Sequence, residues 1–122
     1  MLIEYSDDYK KITMGLLSYI SDLKEPVRLE EELEWYNAEE TRQLYLWKSD
    51  ETDNLIGVVG VEVEDLVLLR HLSINPSHRN EGLSYKILDA LQARYKDQNI
   101  ASTLETASLL AKWQKKSAEK HV

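Results

Sequence analysis

The chain contains no cysteine, which excludes disulfide bridges and thiolate-ligated metal sites and is compatible with a reducing compartment. No apolar run approaches the roughly 20 residues needed to cross a bilayer. The opening residues, Met1-Leu-Ile-Glu-Tyr-Ser-Asp-Asp8, meet acid too early for the apolar core of a signal peptide. Together these absences predict a cytoplasmic protein with no membrane partner. Positive charge is also in short supply, with 15 Lys and Arg against 22 Asp and Glu and a net charge of −7. That balance argues against a sequence-independent grip on nucleic acid, because phosphate backbones are held by clustered Lys and Arg. Glycine and proline number only four and two, so it is notable that one of each falls in the short turn from Asn75 to Ser84.

At 122 residues and 43% hydrophobic, the chain is long enough for one domain, spanning residues 1–122, to bury a core without metal or disulfide staples. Residues 1–5 form a short strand candidate, with Ser6, Asp7 and Asp8 as natural helix caps behind it. Tyr9, Ile12, Leu16, Tyr19 and Ile20 recur at helical spacing and predict a first amphipathic helix. Pro26 restarts the chain. Leu29, Leu33 and Tyr36 then mark the inner face of a second helix, whose glutamates (Glu30, Glu31, Glu32, Glu34) predict a solvated outer face.

Residues 43–48 alternate Leu44 and Leu46 with Gln43, Tyr45 and Trp47, the pattern of a half-buried strand. Residues 55–64 and 66–74 are further apolar runs separated by a Glu64-Asp65 turn. Glu62 and Glu64 alternate with Val61 and Val63 and are expected to face water. Leu83, Ile87, Leu88, Leu91 and Tyr95 predict a strong helix, residues 100–103 a short strand, and Leu110 with Trp113 a last helix over residues 105–119. The predicted order is β-α-α-β-β-β-α-β-α, a mixed α/β domain.

The turn carries the chemistry. Pro76 ends the preceding strand because it supplies no ladder donor, and Gly82 permits either a close approach or a positive φ. A helix beginning near Leu83 would offer unpaired amides at the positive end of its dipole, where a phosphate can sit. Arg79 adds a fixed charge. His78, Arg79, Lys86, Arg94 and Lys96 follow one another here and predict one basic pocket suited to a small anionic ligand. Neither the P-loop nor the dinucleotide fingerprint is present.

Arg79-Asn-Glu-Gly82-Leu-Ser84, preceded by Ile74-Asn75-Pro76, resembles the pyrophosphate loop of the GNAT acyltransferases, R/Q-x-x-G-x-G/A, and the predicted element order matches theirs. The stretches Met14-Gly-Leu-Leu-Ser18, Arg42-Gln-Leu-Tyr-Leu-Trp-Lys48 and Arg70-His-Leu-Ser-Ile-Asn-Pro-Ser-His-Arg79 resemble, more narrowly, the small GNAT proteins of bacterial riboflavin operons. The resemblance implies a GNAT fold, with a mostly antiparallel mixed sheet and helices on both faces, that takes acetyl-CoA or CoA. Backbone groups of Leu72, Ser73 and Ile74 would pair with the pantetheine arm where the fourth and fifth strands splay. Amides of Arg79, Asn80, Glu81, Gly82, Leu83 and Ser84 would hold the pyrophosphate, with Ser84 replacing the usual Gly or Ala.

The implied reaction is N-acetylation of a small-molecule or protein amine by a monomer or homodimer. A lysine-like amine, with a pKa near 10.4, is more than a thousandfold protonated at pH 7, equivalent to about 4–5 kcal/mol, so a proton acceptor is required. The family's usual fourth-strand glutamate is replaced here by Leu68, and the tyrosine of its last helix by Ala111; Leu104 stands where many relatives carry a CoA-contacting asparagine. By the same resemblance Ser108 is the candidate acid. His71, which titrates near neutrality, is the candidate base. The missing pair leaves a second reading open, a CoA-binding regulatory module with little or no turnover. A third, an interaction domain, would use the acidic second helix with Trp35 and Tyr36.

Overall fold

The computed structural model describes residues 1–79 and 81–119. The elements follow the predicted order: β1 (Leu2–Glu4), α1 (Lys10–Leu17), α2 (Pro26–Asn37), β2 (Arg42–Lys48), β3 (Leu55–Val63), β4 (Val67–Ile74), α3 (Leu83–Arg94), β5 (Ile100–Ser102) and α4 (Ala107–Glu119). Boundaries differ from the sequence expectation by one or two residues at most strand and helix ends, where hydrogen-bond patterns fray. The five strands lie side by side in chain order, β1 to β4 antiparallel and β4 with β5 parallel. The single parallel step is bridged by one helix, α3, as a crossover connection requires, whereas the antiparallel step from β1 to β2 contains two, α1 and α2.

Helices cover both faces of the sheet, and this corrects the half-buried reading of β2. Leu44, Leu46 and Val58 pack with Leu16, Leu17, Leu33 and Tyr36 of α1 and α2 on one face. Tyr45 and Trp47, expected to be the outer row, are instead 2% and 7% exposed and pack with α3 and α4 through Ile87, Leu91 and Trp113 on the other. Amphipathic alternation cannot distinguish water from a second apolar layer when that layer accepts Tyr and Trp. The polar tip of Tyr45 is accommodated at the end of α3, where its hydroxyl hydrogen-bonds the Tyr95 hydroxyl and accepts from Arg94 Nε at 3.0 Å.

Two other expectations are corrected. In α1 the buried residues are Thr13, Leu16 and Leu17, while Ile12 and Tyr19 are 42% and 45% exposed. The helix stops at Leu17, so a stripe projected through Tyr19 outruns it. The basic residues do not form one pocket either: Arg94 lies at the far end of α3 from Gly82 and contacts Glu4 with its Nη2 at 2.6 Å.

Candidate functional site

β4 positions the site through an irregularity in its pairing with β3. Gly60 opposes His71 and Val61 opposes Leu69, so Arg70 is an extra residue on β4, a β-bulge. Without the bulge, adjacent residues would point to opposite faces. With it, Arg70 and His71 both reach the α1/α2 side, Arg70 stacking at 4.6 Å over Trp35 and His71 contacting Tyr36. Beyond the bulge the strand is unpaired on its other edge. β5 meets only Val67, Leu68 and Leu69 and ends at Ser102, leaving residues 70–74 without a strand neighbour on that side among the described residues.

The orientation of the free groups follows from the ladder. Asn75 N–H donates to Ile56 O on β3 at 2.8 Å, so by antiparallel alternation the backbone groups of Ile74 and Leu72 face the open edge and those of Ser73 face β3. Ser73 is further occupied by its hydroxyl, which donates to Leu16 O at 2.7 Å. The Ile74 carbonyl accepts from Arg79 Nε at 3.3 Å, which draws the turn back against the strand end. Arg79 also lies 5.7 Å from the Tyr19 ring.

In the turn, Asn75 Oδ1 accepts from Ser77 N–H at 2.9 Å and Pro76–His78 forms a single 3-10 turn. His78 Nδ1 is 3.6 Å from Glu81 Oε2. Gly82 is the residue before α3 and sits at φ 74°, ψ 14°, with no side-chain cap among the described residues. A Cβ placed there would meet nothing within 4 Å, so of the two reasons for a glycine the positive φ is the operative one. Leu83 is buried and anchors the first turn, while Ser84 is half-buried. The first amides of α3 thus follow a turn that the Arg79–Ile74 contact holds against the end of β4. Asn80 falls outside the described residues.

Between the end of α1, α2, β4 and the β5–α4 turn lies a cleft of about 300 Å³, lined among others by Asp22, Arg28, Glu32, Arg70, His71 and Glu105. Its floor is a chain of polar contacts. Tyr36 Oη is 2.5 Å from His71 Nδ1, His71 Nε2 is 3.7 Å from Glu32 Oε1, and Glu32 Oε2 accepts from Arg28 Nη2 at 3.2 Å. Glu62 accepts from Arg70 at 3.0 Å, which corrects the expectation that it faces water. Burial pushes the His71 pKa down, with Arg70 acting in the same direction and Glu32 opposing. Burial also raises the Tyr36 phenol well above its usual range, aided by Glu32. Glu105 is held below the usual carboxylate range by its own backbone amide and by the Thr103 hydroxyl.

Of the candidates named from sequence, His71 and Leu72 line this cleft. Ser108 sits exposed on the first turn of α4, outside the cleft lining. The buried hydroxyl of that region is Thr106, which donates to Leu69 O at 2.8 Å and accepts from Thr103 N–H at 3.0 Å. Glu32, at 9% exposure, was hidden from sequence reasoning by its acidic neighbours. The only signal was its position one residue before Leu33 and four before Tyr36, on the edge of the buried face of α2. Trp35 and Tyr36 are engaged within the fold, by Arg42, Arg70 and His71, which removes the basis for an aromatic interaction surface.

These observations define a class: a mixed α/β domain with a bulged strand left unpaired on one edge beyond Leu69 among the described residues, a turn from that strand into a helix behind a positive-φ glycine, and an ionisable cleft at His71. Residues 19–112 match the family model of the acetyltransferase (GNAT) domain. A Bacillus methanolicus protein described as an uncharacterized N-acetyltransferase in the lysA 3′ region is 40% identical over 114 residues, covering 92% of this chain and 93% of that protein. The chain belongs to the GNAT acetyltransferase family. Among solved structures, it is similar to the aminoglycoside 6′-N-acetyltransferase AAC(6′)-IG of Acinetobacter haemolyticus, with TM-score 0.70, 16% identity, and coverage of 96% of this chain and 88% of that one. It is also similar to AAC(6′)-Iy in complex with the bisubstrate analogue CoA-S-monomethyl-acetylneamine, with TM-score 0.72, 13% identity, and coverage of 96% of this chain and 87% of that one.

Proposed function

We propose that this protein is an acetyl-CoA-dependent N-acetyltransferase acting on a small amine in the 300 Å³ cleft. The observation that carries the proposal is that one strand–turn–helix segment joins three features: the edge of β4 unpaired after Leu69, the α3 terminus behind Gly82 with no side-chain cap among the described residues, and the cleft at His71. The two binding features are both needed. A helix terminus contributes roughly 0.3–1 kcal/mol to an exposed anion, whereas micromolar affinity requires about 8 kcal/mol. The remainder is assigned to the pantetheine arm pairing as a strand with backbone groups of Leu72 and Ile74, with Ser73 between them.

In this reading Arg79, Glu81, Gly82, Leu83 and Ser84 surround the pyrophosphate, with Asn80 completing the loop. The bound thioester supplies the acyl group. The chain's own residues orient the acceptor and accept its proton around His71, while Ser108 is the hydroxyl that the family resemblance assigns to the leaving thiolate. A setting in riboflavin metabolism rests on the resemblance to RibT, the small GNAT protein of bacterial riboflavin operons, and on nothing in the cleft. The test is enzyme-dependent thiol release from acetyl-CoA across a panel of diamines, amino sugars, amino acids and lysine peptides. Release with at least one amine, at a rate above the no-enzyme control, is expected. CoA binding without release for any amine would favour the regulatory reading, whose specific support is Leu68 on β4 and the absence of tyrosine from α4.

A further inference from the structure

The polar chain on the cleft floor has a direction, and that direction decides which atom is free to take a proton. Tyr36 has one hydroxyl hydrogen and is buried to 2% exposure. Its 2.5 Å contact with His71 Nδ1 is the one hydrogen bond the hydroxyl makes among the described residues, so its hydrogen points to the ring nitrogen. A neutral imidazole that accepts at Nδ1 must carry its hydrogen on Nε2. Nε2 faces Glu32 Oε1 at 3.7 Å. That hydrogen therefore points toward the carboxylate, and the imidazole has no lone pair to offer the cleft. Glu32 Oε2 is taken by Arg28 at 3.2 Å, whereas 3.7 Å is too long for Oε1 to be consumed by a direct hydrogen bond.

We propose that Tyr36 locks His71 in the Nε2–H tautomer, and that Glu32 Oε1, rather than the imidazole, takes the proton from the acceptor's ammonium. The proposal rests on the acyl-transfer reading above. In the step, the ammonium N–H bond breaks, its electron pair stays on nitrogen, and the proton forms an O–H bond with Glu32. His71 and Tyr36 are then positioning residues. The bulge at Arg70 is what makes the arrangement possible, because it turns His71 to the α2 side, where Glu32 and Tyr36 lie one helical turn apart. The charged and titratable groups facing His71 are Glu32, Arg28 and Tyr36 of α2, Arg70 beside it on β4, and Glu105 of the β5–α4 turn.

The tautomer is read directly by long-range proton–nitrogen correlation spectra of the imidazoles in uniformly labelled full-length protein, with His71→Gln assigning the resonance. The expected result is a His71 signal of the Nε2–H form that becomes a tautomer mixture in Tyr36→Phe. An Nδ1–H form in the wild type, or a signal unchanged by Tyr36→Phe, would overturn the lock. Kinetics with the amine found by the panel test the second half. Glu32→Gln is expected to lower kcat by roughly 10²–10⁴-fold with KM for acetyl-CoA unchanged. His71→Gln, which keeps a donor facing Glu32, is expected to lower kcat by about tenfold or less and to retain the ascending limb of the pH profile. Loss of that limb in His71→Gln, with Glu32→Gln near wild type, would make the imidazole the base and refute the assignment. A wild-type protein that binds CoA but turns over no amine would refute the Glu32 step together with the acyl-transfer reading, and the spectra would still decide the tautomer.

Discussion

Replacing Gly60 by alanine tests the packing that holds the cleft floor. Gly60 lies on β3 opposite His71, and a Cβ added there would fall 2.0 Å from Tyr36 Oη, 2.4 Å from Cζ and 2.9 Å from Cε1. Carbon atoms do not approach that closely, so either the ring or the strand must move. The ring is 2% exposed and set edge-on between Trp35 and His71 at centroid distances of 5.0 and 5.6 Å, so it cannot shift without disturbing those contacts. Gly60 has no positive φ, so the cost is overpacking alone, about 1–3 kcal/mol, plus roughly 1 kcal/mol for the loosened hydrogen bond to His71. The sum, about 2–4 kcal/mol, corresponds to a fall in Tm of roughly 4 °C for each kcal/mol in a domain of this size.

The assay is urea unfolding of the wild type, Gly60→Ala, Tyr36→Ala and the double variant. In the Tyr36→Ala background the added methyl enters vacated space, so the cost of Gly60→Ala should vanish or change sign, giving a coupling of about 2 kcal/mol or more in the cycle. A Gly60→Ala protein within 0.5 kcal/mol of wild type, or an equal cost in both backgrounds, would refute the reasoning.

Gly82→Ala should destabilise by roughly 1 kcal/mol, because only the positive φ resists it, and Gly82→Asn by less; equal effects in urea unfolding would contradict the conformational account. Thr106→Val keeps the side-chain shape but removes the donor to Leu69 O and the acceptor for Thr103 N–H, so a loss of about 1–3 kcal/mol is expected by the same measurement. Because burial lowers the folded-state pKa of His71, the unfolded chain binds its proton first as pH falls. The stability associated with the neutral ring is therefore complete above about pH 6.5 and declines as pH falls toward the lower folded value. Unfolding free energies measured from pH 7.5 to 5 should fall less steeply in His71→Gln than in wild type; an identical slope would contradict the assignment.

What the sequence made legible was punctuation and periodicity. Asn75-Pro76 and Gly82 marked the strand end and helix start because proline lacks a donor and glycine alone tolerates the αL position comfortably, and both boundaries stand where the chemistry required them. Leu83, Ile87, Leu88 and Leu91 identified the inner face of α3 for the same reason, a 3.6-residue period. The cleft was less legible. A bulge has no composition of its own, so the turning of Arg70 and His71 to one face was invisible. Without it, Glu62 looked solvated and Glu32 looked like one more acid among Glu30, Glu31, Glu32 and Glu34. The second apolar layer over Tyr45 and Trp47 was equally hidden, since strand alternation reports chemistry at each position and not what lies opposite.

The account depends most on the gap between β4 and β5, together with the α3 terminus, binding the cofactor. Calorimetric titration with CoA, paired with thermal unfolding, measures this directly. Micromolar affinity is expected. At a hundredfold excess over Kd the ligand should stabilise the fold by about 2.7 kcal/mol, a rise in Tm near 10 °C at roughly 4 °C per kcal/mol. Absence of both heat and thermal shift at millimolar CoA, in buffer where AAC(6′)-Iy responds, would contradict the central claim.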